Sequence, residues 1–180
     1  MSAICQLVGV MRVVLLFTIC NVVFSVANKN QPTYAIVVDA GSTGTRAFVF
    51  QEYLTDENER VIQSYSCGKE RMGLSSFVNN PRAASELFTG SLLRTAADII
   101  PSKYHSSTSV YVRGTAGMRL LESKDQEFLW DALVHQLKQS PEVPFHIDRK
   151  NFGTISGHEE AFYAVMASNY IAGSIDGNLR

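Results

Sequence analysis

Cysteine is scarce in this sequence, with three in 180 residues. Cys5 and Cys20 lie in an apolar N-terminal stretch, which leaves Cys67 alone in the remainder. One cysteine forms neither an intrachain disulfide nor a zinc site. Cys67 therefore reads as a half-buried free thiol, or as one that pairs with a cysteine outside this sequence. The histidines are equally sparse: His105, His135 and His146 show no metal-ligand spacing, and His158 reads as a solvated neighbour of two acids. No Asn-x-Ser/Thr sequon occurs. Charge of one sign is missing too, since 16 basic and 17 acidic residues leave a net charge of −1. That balance gives no electrostatic case for nucleic acid or an anionic membrane surface as partner. Any phosphate held here would be held by local N–H groups and a metal ion.

What the sequence does have is ordinary globular composition, 46% apolar and 18% charged, which argues against disorder. Its length suits one domain, able to bury roughly 70% of the surface its unfolded chain exposes. The N-terminus stands apart. Arg12 precedes an apolar run from Val13 to Ala27, broken only by Thr18, Asn21 and Ser25. The small residues Ser25 and Ala27 close it at the positions a signal peptidase reads, so residues 1–27 read as a secretory signal peptide. An uncleaved signal anchor is the alternative, although the run is shorter than the ~20 residues that span a bilayer. Either way the rest of the chain faces a lumen or the outside. Residues 28–33 form a polar linker.

Beyond the linker, Tyr34–Asp39 and Arg46–Tyr53 are β-rich runs joined by a turn with two glycines, a β-hairpin signal. Arg60–Cys67 is a third strand. Asn79-Asn80-Pro81 opens an amphipathic helix from Arg82 to Ile100, stopped by Pro101. Ser109–Arg113 is a strand. Ser123-x-x-Gln126 is a capping box that opens a helix over 124–139. A last helix runs from His158 to Ala172, with Gly173 placed to stop it. Meander, then alternating helix and strand, implies a mixed sheet with helices packed on it.

Three segments carry residue types suited to phosphate chemistry. Asp39-Ala-Gly-Ser-Thr-Gly-Thr45 is a tight turn whose glycines admit close backbone approach and whose N–H and hydroxyl groups can converge on one anion. Asp39 at its start can hold the hydration shell of a magnesium or calcium ion. A polar hairpin loop would use the same residues. The segment is not a Walker loop, because no Gly-Lys-Ser/Thr follows. Gly114-Thr-Ala-Gly-Met-Arg119 follows a strand and reads as small residues before a helix start, suited to bring further N–H groups to a phosphate, or as a plain strand-to-helix turn. Gly157-His-Glu-Glu160 sets two carboxylates in a first helical turn. There they complement the helix dipole, or one of them acts as a general base toward water.

Taken in order, these segments resemble signature segments of the apyrase family, the ecto-nucleoside triphosphate diphosphohydrolases. The resemblance rests on Val38–Arg46, Val110–Leu121 and Ile155–Tyr170, with Gly73–Phe77 and Ile100-Pro101 between them. It implies an α/β fold: an actin-like (ribonuclease H-like) lobe, with a mixed five-stranded sheet flanked by helices. Residues 34–180 would be the N-terminal phosphate-binding lobe, and a second, nucleobase-binding lobe would be needed for a complete site. Ser42, Thr43, Gly44 and Thr45 would form the first phosphate loop, and Thr115, Ala116 and Gly117 part of the second binding segment. Asp39 would hold Mg²⁺ or Ca²⁺ through water, and Glu160 would activate the attacking water. The implied reaction is hydrolysis of nucleoside tri- and diphosphates in the secretory pathway, at the cell surface, outside the cell or in the ER/Golgi lumen, with the chain alone incomplete and inactive. Three residues depart from the family pattern: Arg113, Ala161 and Val165. Two other readings stay open, another actin-like phosphotransferase lobe (kinase or exopolyphosphatase) and a non-catalytic short secreted form.

Overall fold

A computed structural model describes residues 31–171 and Ser174. The leader expected over 1–27, residues 28–30 of the linker and the helix stop expected at Gly173 lie outside the described residues, and the linker's last residue, Thr33, already belongs to β1. The strands are β1 (Thr33–Gly41), β2 (Gly44–Leu54), β3 (Arg60–Glu70), β4 (Ser109–Gly114) and β5 (Phe152–Thr154). The helices are α1 (Pro81–Leu87), α2 (Leu93–Ile99), α3 (Ser123–Gln139) and α4 (Gly157–Ile171). The chain divides into two compact units. One comprises Thr33–Gln51 and Gln63–Ile155; the other holds Glu52–Ile62 and α4.

The five strands form one sheet in the order β3-β2-β1-β4-β5. β1 and β2 are joined by only Ser42 and Thr43, a link short enough for an antiparallel hairpin alone. β4 runs parallel to β1, with Asp39 opposite Arg113 and Ala40 opposite Gly114. β5 runs parallel to β4, pairing Val112 with Phe152 and Gly114 with Thr154. Three meander strands followed by two parallel ones make the mixed five-stranded sheet of the actin-like lobe. β1 sits at its centre, and its apolar run Ala35–Val38 explains why: every residue from Ala35 to Ala40, Asp39 included, is buried, as a strand covered on both faces requires. β5 carries no sequence signal, being only three residues long.

The helix expected from Arg82 to Ile100 is interrupted. Asn80 caps α1, its side chain accepting from the Ala83 N–H at 3.3 Å. The segment Phe88–Leu92 then widens into a π turn before α2 resumes. The wider turn rotates less per residue and so holds back the helical phase. Leu92, Leu93 and Ala96 thereby follow Ala84 and Phe88 into the core, all with at most 1% exposure. Burying a side chain such as Phe88 or Leu92 contributes about 1.5–3 kcal/mol, enough to offset one irregular turn.

The capping box expected at Ser123 does not form. Glu122 is the N-cap and makes no side-chain cap bond, and Ser123 is the first helical residue. The Glu122 carbonyl already accepts from Asp125 and Gln126 N–H, each at 3.0 Å, so the helix begins one residue earlier. The Gln126 side chain instead donates to the Leu121 carbonyl at 2.9 Å. Of the apolar residues Phe128, Leu129, Leu133 and Leu137 on α3, Phe128 stays exposed while the three leucines are inaccessible. Trp130 joins them, its indole N–H donating to Thr154 Oγ1 at 3.2 Å and tying α3 to β5.

In the second unit, the β2–β3 turn closes on Thr55, whose carbonyl accepts from Asn58 N–H at 3.0 Å. Asn58 takes the left-handed conformation with φ 63, which asparagine tolerates better than most residues.

Candidate active site

The site grows from the C-terminal ends of two neighbouring parallel strands, β1 and β4. Asp39 lies near the end of β1 with 7% exposure. Arg46, across the hairpin, pairs with its Oδ2 at 3.6 Å. The partner of this ion pair sits in the same hairpin, so the strand pairing positions the carboxylate.

The hairpin tip is Ser42-Thr43, both exposed, while Gly44 and Thr45 are buried. Gly44 has φ +150 and packs against the Glu70 carbonyl so closely that a Cβ there would overlap it. Glycine is the residue that meets both conditions. Thr45 is fully buried, and its hydroxyl donates to the Met72 carbonyl at 3.1 Å, fastening the base of the loop.

The second loop leaves β4 at Gly114, where a Cβ would stand 2.9 Å from Trp130 Cζ2 and closer still to Met118. The Thr115 N–H donates to the Ala40 carbonyl at 3.3 Å, which draws this loop onto the end of β1. The helix start expected here is only the 3-10 turn Met118–Leu120; the Thr115 carbonyl closes it by accepting from Met118 and Arg119 N–H. Ala116 is exposed and Gly117 buried. Arg119 reaches back, Nη1 donating to the Ile155 carbonyl at 3.0 Å.

Ser42 is where the loops meet. A Cβ on Gly117 would lie 2.8 Å from Ser42 Cα, and one on Gly73 would lie 2.5 Å from the Ser42 carbonyl oxygen. Ser75 Oγ stands 3.2 Å from the same point on Gly117. The first loop is thus held between two glycines from two other segments. Asp39, Ser42, Thr43, Gly44, Thr45, Thr115, Ala116 and Gly117 all belong to this one unit. Reading the sequence missed the Arg46–Asp39 pair and the packing of Gly73 on Ser42; a close approach of two backbones leaves no mark beyond a glycine.

The chemistry of a hydrated divalent cation fits here. The space a side chain on Gly41 would fill is flanked by Asp39 Oδ1 and Thr115 Oγ1, each 3.9 Å from the Cβ position. Among the described residues no group of three or more His, Cys, Asp or Glu could hold an ion directly. An ion at Asp39 would keep most of its water, as Mg²⁺ readily does.

In the second unit, α4 opens with a capping box that the sequence contains and the reading of it passed over, Ser156-Gly-His-Glu159. The Ser156 N–H donates to Glu159 Oε2 at 2.8 Å, and the Glu159 N–H donates to Ser156 Oγ at 3.1 Å. Glu159 is therefore used in holding the helix start. Glu160 follows it, half-buried, its N–H donating to the Ser156 carbonyl at 3.0 Å. His158 is exposed.

Two residues outside the loops serve packing. Cys67 is a free, buried thiol on β3, pushed up to about 11 by burial. Arg113 is half-buried, and its Nη1 donates to the Asn151 carbonyl at 2.6 Å, which pins the segment leading into β5.

Comparison with known proteins bears on this arrangement. Residues 25–179 match the GDA1/CD39 (nucleoside phosphatase) family. The chain is 34% identical over 143 residues to ectonucleoside triphosphate diphosphohydrolase 3 of Mus musculus, a match covering 78% of this chain and 26% of that protein. It is 35% identical over 178 residues to probable apyrase 6 of Arabidopsis thaliana, covering 95% of this chain and 31% of that one. A nucleoside triphosphate hydrolase structure from Neospora caninum superposes with a TM-score of 0.59 at 18% identity, covering 81% of this chain and 32% of that chain. The chain thus spans about a quarter to a third of the length of the relatives it matches. With the family match running from ahead of β1 through α4, the chain belongs to the GDA1/CD39 family of nucleoside phosphatases.

Proposed function

We propose that this chain carries one side of the active site of a divalent-metal-dependent hydrolase of nucleoside tri- and diphosphates. The observation that carries this reading is Ser42 held between Gly73 and Gly117 beside the buried Asp39. Such packing fixes the N–H groups of two loops before any ligand arrives, and preorganised donors are the main source of rate in reactions that build up charge.

In this reading, main-chain N–H groups and hydroxyls of Ser42 and Thr43, with the N–H groups of Gly44 and Thr45, bind the phosphate chain from one side. Thr45 contributes through its main chain, because its hydroxyl is spent on Met72. Thr115, Ala116 and Gly117 supply the neighbouring wall. Asp39 would hold Mg²⁺ or Ca²⁺ through water, and such an ion, when bound, would supply positive charge to offset that of the phosphoryl oxygens. Glu160 takes a proton from the attacking water as its oxygen bonds to the terminal phosphorus. The bond to the bridging oxygen breaks, and inorganic phosphate leaves. Glu160 rather than Glu159 takes this role because Glu159 already serves the helix cap.

The matched segment is 26% of the mouse relative, and turnover would draw on a second lobe for the opposing contacts and for the nucleobase. Residues 1–27 would direct the chain into the secretory pathway, either cleaved or retained as an anchor. Among the described residues no helix is long and apolar enough to cross a membrane.

A chimera tests the reading: residues 34–171 replace the matched segment of a relative, and phosphate release from ATP and ADP is followed with Mg²⁺ or Ca²⁺. The expected result is metal-dependent release that Glu160→Gln lowers by about 10²–10⁴-fold. A folded chimera that neither binds nor hydrolyses nucleotide would overturn it.

A further inference from the structure

We infer that Lys69 is a further substrate-contacting residue, supplying the cation that the two loops themselves lack. The inference rests on the phosphate-binding role proposed for Gly44 and its neighbours.

The two loops bring little positive charge of their own. Arg46 is paired with Asp39, and Arg119 donates to the Ile155 carbonyl. A nucleoside diphosphate presents several negative charges to the same space, and a divalent ion offsets only part of them. Lys69 is placed to meet the rest. It lies at the end of β3, one residue before Glu70, whose carbonyl backs Gly44. Its Cε stands 2.8 Å from the point where a Cβ on Gly44 would lie, so the alkyl stem runs across that glycine. The ammonium is one bond beyond Cε and thus sits beside the first loop. Lys69 is exposed, and it forms none of the ion pairs found among the described residues.

The lack of a side chain on Gly44 thereby has a second consequence. Any larger residue would both overlap Glu70 and displace the lysine stem. A lysine suits the position better than an arginine fork would, as a compact point charge on a flexible stem that can follow a phosphate chain.

The test uses the purified chain with Mg²⁺ and ADP, and separately with inorganic pyrophosphate. Lysine acylation is read site by site by mass spectrometry. Lys69 is expected to be acylated several-fold more slowly with either ligand at saturation, while Lys124 and Lys138, both exposed on α3, are unchanged. Lys69→Met is expected to weaken pyrophosphate binding about tenfold, the usual effect of losing a charged hydrogen bond; Lys69→Arg is expected to restore part of it. If the wild-type chain binds both ligands while Lys69 stays unprotected and Lys69→Met binds normally, the inference fails and the proposed function stands. If the folded wild-type chain binds neither ligand, the inference fails, and the chimera decides the proposed function separately.

Discussion

Adjacent glutamates on a helix point in different directions, and the start of α4 separates their roles. Glu159 accepts from the Ser156 N–H at 2.8 Å and closes a reciprocal cap. Removing it by Glu159→Ala is expected to cost about 1 kcal/mol of stability, read as a lower midpoint in urea. Glu159→Gln keeps an acceptor for the Ser156 N–H, so both stability and turnover of the chimera should stay near wild type. Glu160→Gln should show the opposite pattern, with stability kept and turnover lost. If Glu159→Gln proved the damaging change, the roles assigned here would be reversed. Cys67 gives a second residue-scale prediction. Burial holds its thiol near 11 against an ordinary value of 9.0. Between about pH 9 and 11 the unfolded thiol loses its proton while the folded one keeps it. The unfolded state then binds fewer protons, so stability falls as pH rises through that window and is undisturbed below it. Stability measured across pH 8–11 should decline less in Cys67→Ala than in wild type. In the native protein near neutral pH, alkylation of Cys67 should be slow and should speed up on unfolding.

Two glycines with opposite surroundings test what the elements do. A Cβ at Gly90, in the π turn between α1 and α2, would meet nothing within 4 Å. Gly90→Ala should stabilise the protein by about 0.5–1 kcal/mol, because it narrows the unfolded chain's freedom without a clash. Gly117→Val should destabilise it by about 1–3 kcal/mol through overlap with Ser42, and should weaken nucleotide binding more than that loss alone implies. Thermal midpoints and ADP titrations of both variants check the pair. A Gly117→Val protein that binds ADP normally would show that the meeting of loops at Ser42 is dispensable. The same elements show what the sequence made legible. Hydrophobic continuity marked β1, and turn residues marked the hairpin at Ser42-Thr43. A start pattern before an apolar series marked α3, and flanking glycines marked α4. The π turn was hidden, because Leu87, Leu92, Leu93 and Ala96 fit an uninterrupted helix almost as well. β5 was hidden by its length. Ser123-x-x-Gln126 and Ser156-x-x-Glu159 have the same pattern, yet only the second caps its helix; in the first, the Glu122 carbonyl starts the helix before the serine can. At the site, residue types pointed to the two loops, but the contacts that hold them, Gly73 and Gly117 on Ser42, pair residues 31 and 75 positions apart. Separations of that kind are set by the sheet and leave no local signal.

At the scale of the whole molecule, the 180-residue chain is expected to bind nucleotide weakly and not to turn it over. In the proposed reading the described residues would offer one carboxylate, Asp39, to a cation and one set of loop donors to the phosphates, and no group of three or more His, Cys, Asp or Glu that could hold an ion exists among them. Losing even one donor of the oxyanion type costs about 10²–10³ in rate. A site built from a segment that is 26% of one relative and 31% of another would lack several. Large apolar side chains also stay open to water in both units: Leu120 at 88% and Phe128 at 58% in one, Phe162 at 60% and Val165 at 59% on α4 in the other. Such exposure favours self-association, so light scattering should rise with concentration. The measurement is phosphate release from ATP, ADP, UDP and GDP with Mg²⁺ or Ca²⁺, alongside ADP binding with and without chelator. Binding that chelation weakens, with release at background, is the expected outcome. Ordinary turnover abolished by chelation and by Glu160→Gln would overturn it, and would mean that a second copy of the chain supplies the opposing contacts. Turnover rising with the square of protein concentration would then separate that dimer from a site complete within one chain.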